Sequence, residues 1–127
     1  FGFDDGLYAG ARILEILSAL DHPASEEFAL LTTGISTPEI KVPVAEEQKF
    51  ELMQRLLELA NFPGANLVTL DGLRVEYEDA WGLVRASNTS PALLLRFEAD
   101  TAQRLADMKA AFKALILDAD KTLDVSF

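Results

Sequence analysis

A chain of 127 residues, 50% of them hydrophobic and 25% charged, has the size and composition of one compact domain with at most an appendage, which argues against a disordered or fibrous protein. Its formal net charge of −10 argues against nucleic acid and anionic membranes as partners, because binding to polyphosphate surfaces rests on neutralising Lys and Arg. The lack of cysteine removes disulfides, thiolate catalysis and Cys-ligated zinc and is compatible with a cytoplasmic location.

Residues 92–95 illustrate how short the apolar runs are against the span of a bilayer. No signal peptide is evident. The chain opens on Phe1-Gly2-Phe3 without a methionine and reads as cut from something longer. Its acidity is uneven: residues 1–34 hold 6 acids and 1 base, and residues 35–127 hold 15 acids and 10 bases. Any anion site must therefore work by local geometry.

In chain order, Leu7, Ile13, Leu14, Leu17 and Leu20 recur at helical spacing behind Asp4 and Asp5, which predicts an amphipathic helix over residues 5–20. The small, turn-forming residues from Thr32 to Pro38 predict a linker. Ile40, Val42 and Val44 alternate with polar residues and Pro43, a strand that its proline restricts to a sheet edge or end. Residues 45–60 return to helical period, with Phe50, Met53, Leu56, Leu57 and Ala60 on one face, and Phe62-Pro63-Gly64 stops that helix. Leu67–Leu70 and Leu73–Tyr77 flank Asp71-Gly72, the dipeptide suited to a two-residue hairpin.

A second strand pair is expected at 81–86 and 92–98, and a last helix starts near Asp100. There Gln103 would complete a capping box, and Leu105, Met108, Phe112, Leu115 and Ile116 would form the buried stripe. The fold class is thus α+β, an antiparallel sheet with two helices packed on one face.

The segment Val84-Arg85-Ala86-Ser87-Asn88-Thr89-Ser90-Pro91 gathers a guanidinium, an amide and three hydroxyls between apolar strands. Arginine offers a planar fork that matches two phosphate oxygens. Ser87, Asn88 and Thr89 add donors, and successive backbone N–H groups in a turn form an anion-binding nest. The same residue types are the ordinary vocabulary of turns, so on spacing alone a plain hairpin and a phosphate loop both stay open. Asn88-Thr89-Ser90 also fits a glycosylation sequon, without any secretory feature to support it.

Elsewhere His22 stands before a proline without a metal partner, and a surface role is expected. The acidic pairs Asp4-Asp5, Glu26-Glu27, Glu46-Glu47 and Glu78-Asp79 read as helix starts and solvated loops, none of them a metal site. Trp81 is expected to pack in the core.

The stretch Trp81-Gly82-Leu83-Val84-Arg85-Ala86-Ser87-Asn88-Thr89-Ser90-Pro91, followed by Leu93-Leu94-Leu95-Arg96-Phe97-Glu98-Ala99, resembles the C-terminal domain of bacterial phosphomannomutase/phosphoglucomutase enzymes, within the phosphohexomutase superfamily. Residues 1–8 with Ala11-Arg12-Ile13-Leu14-Glu15-Ile16-Leu17 look like the helix after the sugar-recognition loop of that family's third domain. Ser36-Thr37-Pro38-Glu39-Ile40 looks like the hinge into the fourth.

The resemblance implies three segments: the end of domain 3 at 1–33, a hinge at 34–38, and a phosphate-binding domain 4, TATA-binding-protein-like, at 39–127. It implies an enzyme that interconverts hexose 1- and 6-phosphates, of glucose or mannose, through a phosphoserine and a hexose 1,6-bisphosphate. Arg85, Ser87, Asn88 and Thr89 would hold the phosphate that is not being transferred.

No catalytic or metal residue is expected in this chain, since the family's serine, magnesium and sugar loops have no counterpart here. Mg2+ and glucose 1,6-bisphosphate would serve the longer enzyme. The partners implied are a phosphosugar and upstream domains of the same polypeptide, in a monomer. Two other readings compete, a small acylphosphatase-like hydrolase and a non-catalytic dimerisation or regulatory module. The first lacks an anion cradle at Val42-Pro43-Val44-Ala45-Glu46.

Overall fold

The computed structural model describes residues 4–31 and 34–127, and the chain divides into two compact units, Phe1–Thr33 and Gly34–Phe127. The expectations that rest on Phe1–Phe3 and on Thr32 and Thr33 lie outside the described residues. In the first unit, helix α1 (Gly6–Ser18) starts where Asp5 accepts the backbone N–H of Tyr8 at 2.9 Å, an N-cap that satisfies one free donor. A short α2 (Ala24–Ala29) follows Pro23, its N-cap residue, in extended conformation. It was not foreseen, because six residues are too few to show a period. Neither helix buries a residue: Leu7 is 90% and Leu14 68% exposed. The apolar stripe legible in the sequence is left uncovered within this unit.

The second unit is built on β1 (Ile35–Ser36), β2 (Ile40–Pro43), α3 (Lys49–Leu59), β3 (Asn66–Val68), β4 (Leu73–Glu76), β5 (Ala80–Ala86), β6 (Ala92–Ala99) and α4 (Ala102–Ala119). All strand pairs are antiparallel, and β6, β5, β4 and β3 lie side by side as a meander. β1 and β2 lie in succession along the free edge of β6, with Ile35 opposite Ala99 and Ile40 opposite Leu95. Pro43 ends an edge strand, as its missing N–H requires.

Alternation decides the two faces. Val75, Val84, Leu95 and Phe97 point inward and are at most 1% exposed. Leu52, Met53 and Leu56 of α3, with Met108, Phe112, Leu115 and Ile116 of α4, complete the core against them. This is the α+β arrangement expected from the element order.

Four local expectations need correction. Residues 34–38, expected as a linker, contain β1, and Thr37 donates its N–H to Phe97 O at 2.9 Å and accepts that residue's N–H on Oγ1 at 3.2 Å. A polar, proline-containing segment reads as a connection, but the edge of β6 offers partners that local sequence does not reveal. Asp71-Gly72 is no two-residue turn, since Val68 pairs with Arg74 and residues 69–72 form a longer loop.

Thr101, rather than Asp100, caps α4 by accepting the Arg104 N–H at 3.1 Å, and Gln103 turns to Asp107 at 2.9 Å instead of reaching back. Asp100 is held instead by the turn between β4 and β5, its N–H bonded to Asp79 O at 3.0 Å. Finally Phe50 is 61% exposed, and Leu52 takes the inward position on α3. The helix starts at Lys49, later than the sequence implied, and its buried face is Lys49, Leu52, Met53 and Leu56.

At the middle of β5 the core leaves no room for a side chain. A Cβ on Gly82 would stand 2.7 Å from the Phe112 ring and 2.9 Å from the Phe97 ring, which themselves meet edge to face at 5.1 Å between centroids. Ring carbons wedged in a packed core cannot yield as a flexible chain end would. Gly82→Ala is expected to destabilise the second unit by about 1–3 kcal/mol. Urea unfolding followed through the fluorescence of Trp81, the chain's one tryptophan, measures it; an unchanged midpoint would contradict this packing.

Candidate functional site

The register of β5 against β6 places Arg85 opposite Leu94 and Ala86 opposite Leu93, so the strands close just where the polar segment begins. Ser87 donates its N–H to Ala92 O at 2.9 Å, and Ala92 donates to Ser90 O at 2.9 Å. Inside this turn Ser87 is 2% exposed. Its Oγ accepts the N–H groups of Thr89 at 3.3 Å and Ser90 at 3.2 Å and lies 2.8 Å from the Ser90 hydroxyl.

The serine is thus a staple that aligns two successive backbone donors, a turn motif in which a side-chain oxygen stands in for a backbone carbonyl. Asn88 and Thr89 sit exposed at the tip. Pro91 fixes the exit, its carbonyl accepting the N–H of Val44 at 3.0 Å, which ties the loop to the corner between β2 and α3.

Arg85 stands at the root of the loop, on the sheet face away from the helices, with its side chain 34% exposed. Its Nη1 is 3.6 Å from Asp71 Oδ2. Asp71 reaches it because Gly72, at φ +90°, folds the 69–72 loop down onto β5. A Cβ there would meet Val84 O at 2.3 Å and Arg85 Cβ at 2.7 Å. Beside the loop, on the helix side, Phe50, Met53 and Leu57 with Gly72, Ala86 and Asn88 line a hollow of about 190 Å³.

Of the four residues singled out in the sequence, Ser87, Asn88 and Thr89 fall in this turn and Arg85 stands at the end of the strand that leads into it. Asp71, at a distance in sequence, joins them. No local pattern in the sequence points to it, because its place depends on how the β3–β4 loop folds back.

The remaining candidates lie elsewhere. Trp81 was expected in the core and is instead half-buried on the outer face, since Ala80, Gly82 and Val84 take the inward positions of β5. The Arg74 guanidinium lies 4.1 Å from its ring centroid, a cation–π contact. Arg74 Nε also meets Glu76 Oε1 at 2.6 Å, and Asn66 donates to Glu76 Oε2 at 3.1 Å. These donors, Arg74 first, hold the Glu76 carboxyl below its ordinary range.

His22 is paired with Glu27 at 3.1 Å in the first unit. Lys49, unremarked in the sequence, is 2% exposed with Nζ 2.6 Å from Glu46. Among the described residues no three His, Asp or Glu side chains converge as metal ligands.

Comparison with known proteins bears on the same segment. Residues 39–115 match the family model described as phosphoglucomutase/phosphomannomutase, C-terminal domain. The chain is 47% identical over all its 127 residues to a phosphomannomutase/phosphoglucomutase of Pseudomonas aeruginosa, of which it covers 27%. It is 52% identical over 118 residues, 91% of the chain, to a phosphoglucomutase of Neisseria meningitidis, of which it covers 25%.

A crystal structure of a phosphoglucomutase/phosphomannomutase family protein from Burkholderia thailandensis superposes with a TM-score of 0.83 at 41% identity, across 100% of this chain and 26% of that one. The chain thus spans about a quarter of the length of these relatives.

The staple can be tested without any ligand. Ser87→Ala removes the acceptor of two part-buried N–H groups, and a loss of roughly 0.5–1.5 kcal/mol is expected, with faster hydrogen exchange confined to Thr89 and Ser90. Unchanged exchange at both amides would show that the serine does not hold the turn.

Proposed function

Because the chain belongs to the phosphoglucomutase/phosphomannomutase family and matches its C-terminal domain, we propose that the turn from Arg85 to Thr89 holds the spectator phosphate of a phosphosugar while the other phosphate is transferred. The observation that carries this reading is the Ser87 staple, which gathers the N–H groups of Thr89 and Ser90 onto one hydroxyl in the turn that follows a partly exposed guanidinium. Arg85 binds two phosphate oxygens through its fork, and Asn88 and Thr89 add donors at the tip. A phosphate oxygen that takes over the Thr89 and Ser90 N–H groups releases the Ser87 hydroxyl to donate to it in turn.

The wider reaction follows from the family. A phosphoserine elsewhere in the polypeptide transfers its phosphoryl group to the free hydroxyl of a hexose monophosphate, giving a hexose 1,6-bisphosphate and a free serine. The bisphosphate then turns over and returns the other phosphoryl group to the serine. A ligand held in two orientations needs a clamp that reads charge and geometry on the phosphate rather than on the sugar. Glucose and mannose phosphates are the proposed substrates.

Among the described residues no cluster of His, Asp or Glu side chains fits a magnesium site. Residues 39–127 form the phosphate-binding domain in this reading, preceded by a hinge, and residues 1–33 end the domain before it. The uncovered face of α1 would pack there.

Titrating the 127-residue chain with inorganic phosphate and with glucose 1,6-bisphosphate, and following amide and arginine side-chain resonances, tests the clamp. Shifts should concentrate at residues 85–89, vanish in Arg85→Ala and need about tenfold more phosphate in Arg85→Lys, a loss of about 1.4 kcal/mol. Shifts spread over the sheet instead would contradict the assignment. The same chain is expected to show no conversion of glucose 1-phosphate, since a single clamp lacks the reacting groups.

A further inference from the structure

We propose that Asp71 is a built-in competitor for the phosphate at Arg85, an internal anion that holds the guanidinium until a phosphate displaces it. This rests on the phosphate reading of the turn. The pairing is constructed rather than incidental. Asp71 belongs to a different loop and comes within 3.6 Å of Arg85 Nη1, beside Gly72, which lies directly against the backbone of Val84 and Arg85. Any side chain at Gly72 would stand 2.3 Å from Val84 O, and a φ of +90° is open chiefly to glycine.

The chemistry of the contact suits exchange. Asp71 is 73% exposed at its side chain, so it can swing into water at little cost, and a single carboxylate facing one nitrogen leaves the rest of the fork free. A phosphate dianion carries more charge and more acceptor oxygens than the carboxylate and also recruits the turn's N–H groups, so it wins the guanidinium. The carboxylate that remains nearby repels it. The consequence is a clamp weaker than its donors alone would make, which suits a phosphate that must be gripped, released and gripped again. Binding held equally tight throughout would slow release without aiding the chemical step.

The test compares the unaltered 127-residue chain with Asp71→Asn, with Asp118→Asn, which removes the same charge from the surface of α4, and with Arg85→Ala. Inorganic phosphate at constant ionic strength is the probe, and amide and Arg85 Nε resonances are the readout.

Asp71→Asn should tighten phosphate by about fivefold, on the order of 1 kcal/mol, and should sharpen the mobility of the Arg85 side chain before any phosphate is added. Asp118→Asn should change phosphate affinity by less than about twofold, as screening of distant charges predicts. If Asp71→Asn leaves phosphate affinity unchanged or weakens it while binding still requires Arg85, the competitor proposal alone fails. If binding survives Arg85→Ala, the clamp reading fails and takes the proposal with it.

Discussion

The pairing of β5 with β6 is the constraint on which the rest of this structure depends. Val84 opposite Leu95 and Gly82 opposite Phe97 fix which residues turn toward the helices, and a slip of one residue would exchange the two faces entirely. With this register the inward side of β5 is Ala80, Gly82 and Val84, small enough for Phe112 and Phe97 to meet over Gly82. The outward side is Trp81, Leu83 and Arg85. The same alternation that packs the core therefore delivers a guanidinium to the mouth of the β5–β6 turn, without a separate element to carry it.

The turn shows how a chain with net charge −10 can be read as an anion binder. Long-range attraction is unavailable, so affinity must come from contacts within a few ångströms, where hydrogen-bond geometry outweighs net charge. Ser87 contributes by being buried: its hydroxyl spends its lone pairs inside the loop and so orders donors that would otherwise point apart. A nearby carboxylate on Arg85 would be a liability in a site selected for tightness alone. It makes sense in one that must let its ligand go.

Most of the second unit was legible because its signals are local. Alternation marked β2, the apolar runs on either side of Asp71-Gly72 marked β3 and β4, and Leu115, Ile116 and Phe112 marked the buried stripe of α4. What failed shares a physical cause, dependence on a distant partner. β1 exists because Glu98 and Ala99 offer an open edge, and Thr101 rather than Asp100 caps α4 while the Asp100 N–H is bonded to Asp79 O beyond the strand end. Trp81 left the core because a register set by other strands gave its neighbours the inward places.

At the candidate site the division is the same. Arg85, Ser87, Asn88 and Thr89 are contiguous and could be read together. Asp71 could not, since only the descent of Gly72 onto β5 brings it there. The tail after α4 likewise gave no period, yet Val125 is 4% exposed and Phe127 lies 5.7 Å from Phe97 between ring centroids.

The edge strand also changes where a hinge can work. Ile35 and Ser36 are paired with Ala99 and Glu98, and Thr37 exchanges two hydrogen bonds with Phe97, so bending within residues 35–37 would break the sheet edge at each cycle. Each such bond is worth about 0.5–1.5 kcal/mol net, and breaking several together would oppose the motion it was meant to permit. Because β1 pairs with one end of β6, and β6 begins at the turn that follows Arg85, the sheet edge and that turn are joined by a single strand.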